Sequence, residues 1–171
     1  YYGSRSSENL INGTGLSAHE FIKYSTHNNL KADMWLTGSF DGGLEGSVGS
    51  PPTQIDQALV FDLATAREID GFYLWNYNDS AFVERGINYF EILVSADSDP
   101  LTATFHSLGT DFSLDQASGL NSYSASTISL AAAITNVRLI KFASMSNSHN
   151  GYMGLSEIRV RLADSDGDRI I

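Results

Sequence analysis

The chain of 171 residues has no cysteine. Structural disulfides and thiolate-held zinc or iron–sulfur sites are therefore excluded, and oxidising and reducing compartments are equally compatible with it. It also lacks any apolar run of the roughly 18 residues that a membrane-spanning helix needs. Positive charge is scarce, with 10 Lys and Arg against 20 Asp and Glu for a net charge of −10. The basic residues are scattered, so contact with phosphate backbones or anionic lipid is opposed, and neither nucleic acid nor a membrane is an expected partner. The opening YYGSRSS has neither the charged start nor the apolar stretch of an export signal; any such signal is expected to have been removed or to lie outside this sequence.

Catalytic signatures are missing as well. There is no G-x-S-x-G elbow, no H-E-x-x-H helix and no P-loop. NGTG (12–15) lacks the preceding strand and following helix of a phosphate-binding turn. Four histidines (His19, His27, His106, His149) and many serines form no recognisable triad. Twenty acids guarantee some close carboxylate pairs, but no spacing singles one out for glycoside hydrolysis. NGT (12–14) and NDS (78–80) match the N-glycosylation pattern, which is short enough for chance to account for both.

What the chain does have is β pattern. Short segments rich in Val, Ile, Phe, Tyr and Thr, punctuated by Gly, Asn, Asp and Ser, predict strands at 58–64, 68–77, 87–96, 102–109, 122–130, 136–145 and 155–163. Turn signals such as DSDP (97–100) between them fit two antiparallel sheets packed face to face. The length suits one domain, placed at 8–163, with a ragged amino-terminal end at 1–7. SAHEFIKYS (17–25) is left as a short helix or a turn, and the Gly- and Ser-rich 38–52 as an irregular loop. DSDGDRII (164–171) breaks the β pattern with alternating Asp, as at the start of a linker or of a calcium-binding repeat.

Three places bear on function. The segment LWNYND (74–79), followed by Arg85, ends a strand in Trp75, Asn76 and Tyr77. Aromatic faces and amides at the rim of a sandwich suit a neutral polyhydroxylated ligand; otherwise Trp75 and Tyr77 are core residues and Arg85 pairs with Glu84 or Glu91. The loop SNSHNGY (146–152) repeats that chemistry in Asn147, His149, Asn150 and Tyr152, or is simply solvated. Finally, GYMGLSEIRVRL (151–162) alternates like a strand yet sets Glu157 beside core-type residues, a costly position unless the carboxylate is paired.

Four segments in order, MWLTG (34–38), ALVFDLATAREIDGFYLWN (58–76), RGINYFEILVSAD (85–97) and NVRLIKF followed by GLSEIRV (136–142, 154–160), resemble the coagulation factor V/VIII type C or discoidin-like domains, in particular bacterial carbohydrate-binding modules of family 32. The resemblance implies an all-β, galactose-binding-like jelly roll of about eight antiparallel strands. It also implies a structural calcium, held by the Glu of the closing SEI motif, here Glu157, and by a loop before the early Trp. There the family's D-G-N-x-x-T-x-W is replaced by N-N-L-K-A-D-M-W, so Asn28 and Asp33 stand for the Asp and Thr, with the Leu30 carbonyl between them. The alternative is an ion pair of Glu157 with Arg138 or Arg159.

Ligand contacts carried over from the family fall on Trp75, Asn76, Tyr77, Arg85, His149, Asn150 and Tyr152, with Tyr77, Phe82, Tyr152 and Phe40 as tip aromatics. The expected protein is a non-catalytic carbohydrate-binding module, monomeric within a larger secreted bacterial chain and partnered by a glycan or polysaccharide. A protein-interaction or cell-adhesion domain is the first alternative, and a small glycan-active enzyme the second.

Overall fold

The computed structural model of the chain describes residues 7–17, 22–37, 58–147 and 152–163. The 38–52 loop, the 164–171 tail, Phe40, His149 and Asn150 lie outside the described residues. Eight strands follow one another: β1 (Thr26–His27), β2 (Trp35–Leu36), β3 (Leu59–Asn76), β4 (Tyr89–Ser95), β5 (His106–Ser113), β6 (Tyr123–Ser124), β7 (Ser126–Ser146) and β8 (Gly154–Leu162). All their pairings are antiparallel, in the orders β2-β8-β3-β7-β4-β5 and β1-β6.

The two long strands create the sandwich. β3 joins the expected segments 58–64 and 68–77, and β7 joins 126–130 of the expected 122–130 to 136–145, Tyr123–Ser124 being the separate β6; in each the limbs meet at a bend rather than a loop. Ala64 sits at the bend of β3 with φ +63° and Asn136 at that of β7 with φ +60°, and the β3–β7 register slips between Asp62 and Arg67. A left-handed backbone costs an L-residue about 1 kcal/mol, and local bonds offset it. The Ala64 N–H donates to Asp62 Oδ1 at 2.8 Å, while the Arg138 guanidinium binds the Asp62 carboxylate and the Ala64 carbonyl.

Beyond the bend the partners change. The second limb of β3 pairs with β8 and with the start of β7, whereas the first limb pairs with the end of β7, whose other edge takes β4. One continuous sheet thus becomes two layers, β2-β8-β3-β7 and β3-β7-β4-β5, which is the jelly-roll sandwich.

Between the layers lies one core. Phe72, Leu74, Ile158 and Val160 face Phe90, Ile92, Ile140 and Phe142. Phe142 is its hub, meeting Phe61, Phe72 and Phe90 with ring centroids 5.8, 5.8 and 5.4 Å apart in edge-on geometry, arrangements worth about 0.5–1.5 kcal/mol each beyond the area buried.

One expectation shifts. The strand expected at 102–109 runs instead over His106–Ser113, because Gly109, at φ +143°, forms an irregularity within the β4–β5 ladder instead of ending it. Phe112 then packs on Phe90 at 5.9 Å. Of the 17–25 segment, Ile22–Tyr24 is a single 3-10 turn.

Substituting Phe142→Ala empties the hub of the core and should lower the unfolding free energy by about 3–5 kcal/mol. Urea denaturation checks this; a loss below 1 kcal/mol would mean that the two layers do not depend on that ring.

Candidate functional site

The alternation of β3 and β8 decides where Glu157 goes. Leu74 opposes Ile158 and Phe72 opposes Val160 on the core face, so Trp75 and its cross-strand partner Glu157 share the opposite face. That face is covered by the amino-terminal segment. Trp75 Nε1 donates to the Ser25 carbonyl at 3.2 Å, and Arg159 Nη1 donates to the Ile11 carbonyl at 3.0 Å. Trp75 and Glu157 are consequently both 0% exposed.

Glu157 is incompletely satisfied. Arg159 Nη1 approaches Oε1 to 2.5 Å, yet neither carboxylate oxygen has a well-formed hydrogen bond. Burial pushes the carboxyl up to about 7, with the Arg159 charge and the Gly13 N–H opposing the rise. The ion-pair alternative expected from sequence is therefore realised with Arg159; Arg138 is engaged by Asp62.

The second half of the expected metal loop is assembled nearby. Asn28 Nδ2 donates to Asp33 Oδ2 at 2.8 Å, Asn28 Oδ1 accepts the Leu30 N–H at 2.9 Å, and the Leu30 carbonyl accepts the Asp33 N–H at 3.0 Å. The Leu30 side chain is exposed. His27, fully buried, joins the group through Nδ1 and the Asn28 carbonyl at 2.8 Å. Desolvation holds its imidazole below the usual range, and Nε2 has no hydrogen bond.

The 13–15 turn touches both halves, since Gly13 lies against Arg159 and Gly15 against His27 and Asn28. Among the described residues no three His, Asp or Glu side chains converge as a metal site. A cation here would draw on Glu157, the Asn28 and Asp33 oxygens and backbone carbonyls, an all-oxygen set that suits calcium. The buried Glu157 oxygens, ion-paired with Arg159 but without a well-formed hydrogen bond, are the feature that fits such an ion.

The rim residues expected after β3 turn inward: for Trp75 and Tyr77 the core alternative holds in place of the sugar-facing one, and Asn76, expected as a sugar-facing amide, is buried with them. Trp75 is under the amino-terminal segment. Asn76 is a fully buried staple: its amide donates to the Ile87 and Asp115 carbonyls, both at 2.9 Å, and its Oδ1 accepts the Ile87 N–H at 2.9 Å. Tyr77 packs in a small cluster with Met34 and Leu36, and its hydroxyl donates to Asp79. A strand end that must also anchor its following loop has no side chains to spare for solvent.

Asn78 works similarly, donating to the Asn28 and Leu120 carbonyls at 3.0 and 2.7 Å and accepting the Gly119 N–H at 2.8 Å. It is fully buried, so the NDS match is not a glycan acceptor in the folded chain. Nothing in the sequence separated these structural amides from ligand-binding ones.

Arg85, closing the 3-10 turn Val83–Arg85, and Tyr152 are the expected residues that meet at this end of the sandwich. Its guanidinium lies 3.9 Å from the centre of the Phe82 ring and 4.7 Å from that of Tyr152. Asn147 ties the neighbouring backbones together by donating to the Arg85 and Tyr152 carbonyls at 3.2 and 2.6 Å. Arg85 itself is buried, while both rings remain half-buried and so retain some outward surface. Phe82, Arg85, Asn147 and Tyr152 form the candidate site.

No protein-family model matches the sequence, and no curated protein gives a match. Solved structures do match the fold. A CBM32 module from a family 31 glycoside hydrolase of Clostridium perfringens is 13% identical, covering 95% of this chain and 100% of that one, with TM-score 0.51. The F5/8 type C domain of a Bacteroides fragilis protein is 13% identical over 88% of this chain and 93% of its own, also at 0.51. The CBM32 of AlyQ, in complex with 4,5-unsaturated mannuronic acid, is 21% identical over 94% and 92%, at 0.50. The fold is thus the discoidin-like fold that the sequence resemblance implied.

The raised Glu157 carboxyl has a pH signature. Below about 4.5 it is protonated in folded and unfolded chains alike and contributes nothing. Between about 4.5 and 7 the unfolded chain loses the proton while the folded chain keeps it, so stability falls as pH rises, by up to about 3 kcal/mol, and the loss is complete above that window. Urea titrations in chelator should show this decline in the native chain relative to Glu157→Gln; parallel curves would refute it.

Proposed function

We propose that the chain is a non-catalytic carbohydrate-binding module that holds a glycan at the Phe82–Arg85–Tyr152 end of the sandwich. The observation that carries this reading is the cation clamped between two aromatic rings. Such rings stack on the C–H faces of a sugar, and the buried guanidinium against them holds both in place without a large ordering cost on binding. Two of the three similar structures are carbohydrate-binding modules, and one of them holds an unsaturated mannuronic acid, which supports a sugar as the ligand class.

One shallow site makes few contacts, so affinity should lie roughly in the micromolar to millimolar range. A module of this kind acts by raising the local concentration of an attached domain at a polymer surface, and we place it within a larger secreted bacterial protein, as a monomeric unit. Its metal would be structural: calcium between Glu157 and the Asn28–Asp33 loop would replace the incomplete pairing of a buried carboxylate and brace the amino-terminal segment over β3 and β8.

Calorimetry against neutral and uronic-acid oligosaccharides should find binding that Tyr152→Ala weakens about tenfold or more, with the circular dichroism spectrum unchanged. Binding that survives Tyr152→Ala intact would place the site elsewhere, and silence across a broad glycan array would remove the sugar reading.

Removing calcium with a chelator should lower the melting temperature by several degrees, since an ion bound only by the folded chain stabilises it by mass action. Glu157→Gln should abolish that response. An identical melting curve with and without calcium would dismiss the metal.

A further inference from the structure

The bend at Ala64 has a second consequence, on the flank of the sandwich away from Arg85. β8 pairs with β3 only from Ile69 onward, and the first limb of β3 pairs on one side alone, with β7. Among the described residues no strand occupies its other edge. Where this limb and β8 part, a cleft of about 550 Å³ opens between them, beneath the 3-10 turn Ser7–Leu10. Its walls are mostly apolar, with Ile11, Leu59, Phe61, Leu63, Ile158 and Val160 among them and charged side chains at the edges. Ile11 and Val60 remain 57% and 41% exposed at its mouth, so the trough is open to solvent. The size and lining are those of small-molecule sites, which run to roughly 300–1,000 Å³.

The charges around it are unequal in availability. Asp62 is taken by Arg138, Arg159 is held by Glu157 and by the Ile11 and Ile158 carbonyls, and Glu8, also in the lining, is engaged as well. Arg67, exposed at the rim, makes no ion pair or hydrogen bond among the described residues. An apolar trough with a single uncommitted guanidinium complements one apolar body bearing one anionic group. A neutral sugar is a poor fit, because the one ring present, Phe61, is already edge-on against Phe142.

The geometry points to a second ligand site, in which the first limb of β3, β8 and the Ile11 turn hold an amphiphilic carboxylate with its chain along Leu59, Leu63 and Val160 and its head on Arg67. The site is separate from the Phe82–Tyr152 end, so its fate does not depend on sugar binding.

Dodecanoate below its micelle concentration is the test ligand, read by displacement of anilinonaphthalene sulfonate and by methyl NMR on the whole chain. Displacement is expected, with shifts confined to Ile11, Val60 and Leu63. Dodecanol should bind about tenfold more weakly, and Arg67→Gln should remove that preference while leaving dodecanol binding unchanged. Val60→Asp should weaken both ligands. Equal binding of acid and alcohol, shifts centred on the exposed Leu30 and Leu120 instead, or no effect of Arg67→Gln would overturn the site. Capture by phosphatidylglycerol vesicles without binding of free dodecanoate would assign the trough to a lipid surface and overturn it as well.

Discussion

The paired bends of β3 and β7 are the constraint on which the molecule rests. Two L-residues, Ala64 and Asn136, are held in left-handed backbone, and Arg138 secures the first of them by binding both Asp62 and the Ala64 carbonyl. Without the bends, strands of 18 and 21 residues would form a broad flat ribbon with one face in water. With them, the same ribbon folds over Phe142 and buries both faces of its centre. The bend that closes the core also parts β3 from β8, so the flank cleft is a by-product of the same geometry.

The outer face of the β8–β3 layer shows how a second burial step creates chemistry. The amino-terminal segment crosses it with backbone bonds from Trp75 and Arg159 and seals Glu157 from water. Desolvation then competes with the Arg159 charge and prevails, leaving a carboxyl titrating near neutrality. A buried ion pair with poor alignment is weak glue. The same carboxylate beside an all-oxygen loop has the donor chemistry that a hard cation such as calcium takes.

At the end of the sandwich, amides carry the architecture. Asn76, Asn78 and Asn147 spend their donors on backbone carbonyls, which fixes the loops that carry Phe82, Arg85 and Tyr152. Rigid loops under a shallow site reduce the ordering cost of binding.

From sequence, the period-two alternation around Phe90–Val94 and Ile158–Leu162 was enough to assign strands and their core faces, because one buried face imposes that pattern whatever the topology. The order of the FDL, NYFEIL and SEIRV segments pointed to the fold, and the incongruous Glu157 marked a buried carboxylate before any coordinates. Alternation along one strand does not say what covers its other face, and so Trp75 read as a rim residue while a segment some fifty positions earlier in the chain lies over it. Asn76 and Tyr77 were misplaced for the same reason: an amide or a phenol can satisfy a backbone or a ligand equally well, and only the position of Ile87, Asp115 and Asp79 settles which. Local pattern determined which residues face a core; long-range packing alone decided which polar groups were consumed in building the shell and which remained to meet another molecule.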